Sequence, residues 1–139
     1  RQWMNRELWI NDPDCLCLRN FENQIASEED FNFHLCAILV SDGVLMLGDS
    51  LKELEPKDFN RIDKIIEIQK WDKSITYDDD FTHFVIKDTN SSRKIDVFFN
   101  WINQPISVKA NGNDLFTDLP LDEKEITIAP FSAKAVLSE

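Results

Sequence analysis

Val44-Leu45-Met46-Leu47 is an unbroken apolar run of strand length that stops at Gly48-Asp49-Ser50. A strand with one solvated face alternates apolar and polar residues. An unbroken run instead predicts a strand covered on both faces, the habit of a parallel strand inside an α/β layer. Its flanks agree. Upstream, Ser27 followed by Glu28, Glu29 and Asp30 has the chemistry of a helix start, a capping hydroxyl ahead of carboxylates that favour the positive end of the helix dipole. Phe31 to Val40 is then apolar nearly all round, which predicts a helix buried on more than one side and ended by Ser41-Asp42-Gly43, with Gly43 in the left-handed position. Downstream, Pro56 suits the first turn of a second helix that turns Phe59, Ile62, Ile65 and Ile66 inward, with Ile68 at the margin. With the apolar Leu8-Trp9-Ile10 ahead of all this, the order reads strand, helix, strand, helix.

Around Trp71 to Asp80 the character changes, and Tyr77-Asp78-Asp79-Asp80 reads as a solvated turn or linker. After it come short strand-like segments: 83–87, 95–101, 106–110, 114–117, 125–129 and 133–137. Turn signals separate them, at Asp88 to Ser92, Asn111-Gly112-Asn113 and Leu121 to Lys124. The expected fold class is therefore α/β followed by all-β. Residues 1–74 form the α/β part and 75–139 a small antiparallel β-domain.

Composition bounds what such a chain can meet. With 42% hydrophobic and 11% aromatic residues in 139, it can fill a real core. The formal charge of -11 is spread evenly: residues 1–77 carry 9 basic and 15 acidic side chains, and 78–139 carry 6 and 11. Nucleic acid and anionic membranes would be repelled by that field, so neither is expected as a partner, and neutral sugars are not excluded. Three cysteines, an odd count, fit a reducing compartment, and a cytoplasmic location is expected. Cys15, Cys17 and His34 lack the spacing and the fourth ligand of a zinc site; no metal and no cofactor are expected. The chain opens on Arg1 with no signal-peptide pattern, which suggests a piece of something longer.

Trp9 to Arg19, Trp-Ile-Asn-Asp-Pro-Asp-Cys-Leu-Cys-Leu-Arg, reads as a strand that ends near Asn11 and releases two carboxylates at its tip. Pro13 has no N–H and presses Asp12 into an extended conformation. Asp12 and Asp14 could both face a ligand. As neighbours on one exposed turn, however, they lack the contrasting environments that would make one an acid and the other a base. Asp12 suits a turn, bonding nearby amides, and Asn11 suits a brace.

Asn11-Asp12-Pro13-Asp14-Cys15-Leu16, preceded by Trp9 and trailed by Arg19, resembles the W-x-N-D-P-D-x-L signature of the α-galactosidase (melibiase) group of glycoside hydrolases. The likeness continues through the acidic helix start, the buried helix, the strand ending Leu47-Gly48-Asp49-Ser50-Leu51 and a last strand over 128–137. The resemblance implies that residues 1–74 are the last two βα units of a TIM-type (β/α)8 barrel, from Trp9 and Val44, followed by a small antiparallel β-sandwich. It implies a site at the C-terminal ends of the barrel strands, with Asp14, Cys15 and Asp12 as substrate-binding residues and a carbohydrate as partner. The family retains configuration with a nucleophile and an acid/base about 5 to 5.5 Å apart, both on earlier strands. No Lys-x-Asp nucleophile strand precedes Trp9, so no catalytic residue is expected in this chain.

Other readings stand beside this one. A non-catalytic carbohydrate-binding or interaction module would use surface aromatics, although Trp3, Trp9, Trp71 and Trp101 suit a core better. Asp49 suits a strand-end turn, His34 a core position, and Asp78-Asp79-Asp80 lacks the ligand spacing of a calcium loop. A barrel cut to two strands would open Leu16, Leu18, Val44 and Met46 to water, so the chain should either associate through that edge or repack its helices on the sandwich.

Overall fold

The computed structural model describes residues 4–19, 26–121 and 125–139. The first half is strand β1 (Cys15–Leu16), helix α1 (Glu28–Ser41), strand β2 (Met46–Leu47) and helix α2 (Pro56–Gln69). β1 and β2 are parallel, with Cys15 opposite Met46 and Leu16 opposite Leu47. Parallel neighbours joined through a helix are what the unbroken apolar run predicts. The first strand differs from expectation: the segment from Trp9 to Asn11 forms no strand, and β1 begins only at Cys15. The Asn11 carbonyl already accepts from Val44 N–H at 2.9 Å. Asp12, Pro13 and Asp14 loop out as an unpaired bulge between that bond and β1, and parallel pairing begins after Pro13, where Asp14 redirects the chain at φ 71°.

Ser27 caps α1 as expected: its hydroxyl accepts from the Asp30 N–H, and the Asp30 carboxylate accepts from the Ser27 N–H at 2.8 Å. At the other end the left-handed residue is Asp42 (φ 48°), not Gly43. The Asp42 carboxylate lies 2.9 Å from both Arg6 Nε and Lys73 Nζ, which fixes that turn. Gly43 serves a close approach instead, because a β-carbon there would collide with the Asn11 carbonyl oxygen. On α2, Ile62, Ile65 and Ile68 are buried, whereas Phe59 and Ile66 face water. Asp58 and Arg61 take the inward places, and Arg61 reaches Glu28 of α1 at 2.7 Å.

The second half forms a six-stranded antiparallel sheet, order β3-β4-β5-β10-β7-β8, and a two-stranded ribbon, β6-β9. Its strands are β3 (Lys73–Tyr77), β4 (His83–Asp88), β5 (Lys94–Phe99), β6 (Ile106–Val108), β7 (Gly112–Asp114), β8 (Pro120–Leu121), β9 (Ile126–Ile128) and β10 (Ala133–Ser138). β3 lies where a linker was expected; its alternation, Lys73, Ile75 and Tyr77 inward, is short and half polar. Asp78 to Thr82 is the hairpin turn, with Asp78 accepting from the Thr82 N–H at 2.7 Å and its hydroxyl at 2.6 Å. Asn111-Gly112-Asn113 is likewise no turn. Gly112–Asp114 pairs with β10 and β8, and the turn follows at 115–117. The expected turn at 122–124 lies outside the described residues, as does Trp3.

Strand alternation splits the core in two. Ile95, Val97 and Phe99 of β5, with Ala133 and Ala135 of β10, pack with Leu16, Leu18 and the inner faces of α1 and α2. Phe98 and Val136, on the other face, pack under Ile126 and Ile128 of the ribbon. Leu16 and Leu18 are thus buried rather than opened to water, whereas Val44 and Met46 are 43% and 41% exposed. Of the run that opened the sequence reading only Leu45 packs on the core, and Leu47 is exposed as well. Trp9 and Trp101 are also half exposed, not core.

Candidate functional site

The bulge ahead of β1 is built from its own side chains. Asp12 Oδ1 accepts from the Asp14 N–H at 3.1 Å, and Asp14 Oδ1 accepts from the Cys15 N–H at 2.8 Å. The two carboxylates are held to the backbone in succession, and both side chains face solvent. Asn11 is the brace that its position suggested. Its N–H donates to Asn5 Oδ1 at 2.8 Å, its amide donates to the Ser41 carbonyl at 3.0 Å, and its Oδ1 accepts from the Trp9 indole at 3.2 Å. One side chain thereby joins the segment before β1 to the end of α1.

The three candidate substrate residues divide. Asp12 lines an open cavity of about 350 Å³ with Trp9, Ile10, Asn11, Pro13 and Ser41. Asp14 and Cys15 lie outside its lining and belong to the strand side of the bulge. The Cys15 thiol is pushed up from its ordinary value by partial burial first, then by its hydrogen bond to Asp14 and that residue's charge. Cys17 is raised by burial and by Asp49. Both thiols are protonated at neutral pH and neither is a ready nucleophile.

Two residues without a signal in the sequence hold the backbone beyond the bulge. His34, from the middle of α1, places Nε2 3.0 Å from the Cys15 carbonyl and 3.4 Å from the Cys17 amide nitrogen, so one ring nitrogen meets the backbone on both sides of Leu16. Asp49, at the end of β2, accepts from the Leu18 N–H at 2.6 Å. Gly48 leaves room beside them: a β-carbon there would lie 2.6 Å from Cys17 Sγ, which would have to turn aside. A histidine amid apolar helix residues reads as core until the neighbouring carbonyl is known. Among the described residues no group of His, Cys, Asp or Glu is arranged to hold a metal ion, and no helix is long and apolar enough to cross a membrane.

No family model matches the chain, and no curated protein matches its sequence. Solved structures do match its fold. α-Galactosidase I from Mortierella vinacea superposes with a TM-score of 0.68 at 14% identity, over 98% of this chain and 41% of that one. A putative α-galactosidase/melibiase from Bacteroides fragilis gives 0.66 at 15% identity over 94% and 34%, and a second putative α-galactosidase from the same organism gives 0.62 at 18% over 93% and 33%. The chain thus has the fold of part of these enzymes and spans about two-fifths of their length or less.

Proposed function

We propose that the chain is the C-terminal portion of a retaining glycoside hydrolase of the α-galactosidase kind, acting on terminal α-linked galactose or a related sugar. The observation that carries this reading is a coincidence of two independent facts. The Asn-Asp-Pro-Asp bulge leads directly into the first of two parallel strands joined through a helix, and the fold around it is shared with α-galactosidases over nearly the whole chain. In this reading residues 1–74 are the last two βα units of the barrel and 75–139 the sandwich that buttresses them. Asp14 contacts substrate hydroxyls, Cys15 forms the wall beside it, and Asp12 supports both by fixing the Asp14 amide. The nucleophile belongs to a Lys-x-Asp strand that does not precede Trp9 here, so the chain alone turns nothing over. Three free thiols suit a reducing, cytoplasmic setting.

The test is the product of the complete reading frame, assayed on 4-nitrophenyl α-galactoside with the anomeric configuration of the first product followed by NMR. Release of α-galactose, with this chain alone inert, supports the reading. A complete protein that binds galactosides without cleaving them favours the carbohydrate-binding module, and inversion of configuration overturns the mechanism.

A further inference from the structure

A second cavity, of about 250 Å³, opens between α1 and the six-stranded sheet. Phe81, Phe84, Phe99 and Trp101 line it from the sheet side, and Ala37 and Val40 from α1, with Ser41 at its margin. Its polar groups are already committed. The Ser41 hydroxyl donates to the Ile38 carbonyl at 2.8 Å, and the Trp101 indole N–H donates to the Phe81 carbonyl at 2.9 Å. No charged side chain lines it, in a chain with 26 acidic and 15 basic residues.

Its walls are set in advance. Trp101 stacks on Phe99 (centroids 5.4 Å apart, 15° between planes) and meets the edge of Phe33 at 5.1 Å. Asn100, 1% exposed, locks the loop that carries Trp101 by donating to the Gln104 and Ala129 carbonyls and accepting from the Ile102 N–H. Phe81 stacks on Tyr77 at 5.3 Å, yet its backbone sits at φ 56°. A bulky residue is disfavoured in that region, and the turn by itself would be better served by Gly or Asn. An exposed phenylalanine held there at a conformational cost, with its ring among the cavity walls, is an observation independent of the cavity's shape.

We propose that this cavity is a binding site for one uncharged aromatic ring. Aromatic walls fixed before binding lower the cost of association, and offset or edge-on contacts are what such rings make with one another. A cavity of roughly 150 Å³ suffices for benzene in another protein, so the space here holds a single substituted or fused ring. A charged ligand would lose its hydration to a neutral lining, and a sugar's hydroxyls would find no free partner there.

The experiment titrates the 139-residue chain with indole, and separately with methyl α-galactoside, following the Trp101 indole N–H and the Ala37 methyl by NMR. Indole is expected to give saturable shifts at those groups with a Kd of about a millimolar or tighter. Ala37→Leu, which fills the cavity from α1, should weaken indole at least about tenfold; Phe81→Asn, which relaxes the turn and removes a wall, should weaken it too while the spectrum stays that of a folded protein. The absence of saturable shifts in the folded chain overturns the proposal, as does undiminished binding in Ala37→Leu or tighter binding of the galactoside at the same groups.

Discussion

The main-chain N–H of Leu18 donates to Oδ2 of Asp49 at 2.6 Å, closing the far end of the parallel pair across 31 residues of sequence. Leu18 is 4% exposed, so its N–H has no water to turn to. Asp49→Ala should therefore cost about 1–3 kcal/mol, read as a lowered urea midpoint, and Asp49→Asn, which keeps an acceptor, should restore most of it. Equal losses in both variants would mean that the charge, not the acceptor, matters.

Asp88 makes the fold sensitive to acid. Its carboxyl is held down at about 2 from an ordinary 3.8, first by the Asn90 N–H, then by Arg93 and the Ser91 hydroxyl. Arg93 reaches Asp88 at 2.7 Å and lies 4.4 Å over the Trp71 ring, so this pair ties the β4–β5 hairpin to the segment after α2. A carboxyl lowered in the folded state stabilises above the unfolded value, and that contribution is lost as pH falls through the folded one. Stability should decline between about pH 4 and pH 2, and Asp88→Asn should flatten the slope in that window while lowering stability at neutral pH.

Thiol chemistry reports on the bulge. Cys36 is buried, and burial pushes its thiol far up, so it should resist alkylation in the folded chain. Cys15 is raised in part by Asp14. Asp14→Asn removes that charge, lowers the thiol's value and should speed Cys15 alkylation a few-fold at about pH 8. An unchanged rate, followed by mass spectrometry of the Cys15 peptide, would place Asp14 away from the thiol.

The parallel pair and its flanks are poorly covered. Trp9, Ile10, Val44, Met46 and Leu47 are 44%, 64%, 43%, 41% and 37% exposed, and each of the two strands has a single partner strand among the described residues. Parallel strands are rarely left this open. The isolated chain should associate reversibly through this edge, with the average mass rising with concentration in sedimentation equilibrium and Val44→Lys shifting it back to monomer. A monomer at every concentration would show that the edge is tolerated as it stands.

What the sequence made legible follows from how local each signal is. The Ser27 cap and Pro56 act within a few residues, and the two helices fall where those signals put them, whereas the parallel pair is shorter than the apolar runs suggest and starts at Cys15 and Met46. The first strand was expected too early because Leu8-Trp9-Ile10 is apolar, whereas pairing begins at Cys15, past Pro13, a position set by the distant β2. β3 was hidden because an edge strand needs only one apolar face, and Lys73-Ser74-Ile75-Thr76-Tyr77 barely supplies it. The exposure of Phe59 and Ile66 depends on which side of α2 meets the sheet, a tertiary fact. At the site, Asp12 bonds locally, as its residue type suggests, whereas Asn11, His34 and Asp49 act across 30, 19 and 31 residues, beyond the reach of any local pattern.

The central claim is that Asp14 faces a sugar in the complete protein. The most direct measurement is kcat/KM on 4-nitrophenyl α-galactoside for the full-length product and its Asp14→Asn variant, with Tm recorded for both. The account predicts a loss of at least about tenfold with little change in Tm. Equal activity in a variant that folds equally well would contradict it.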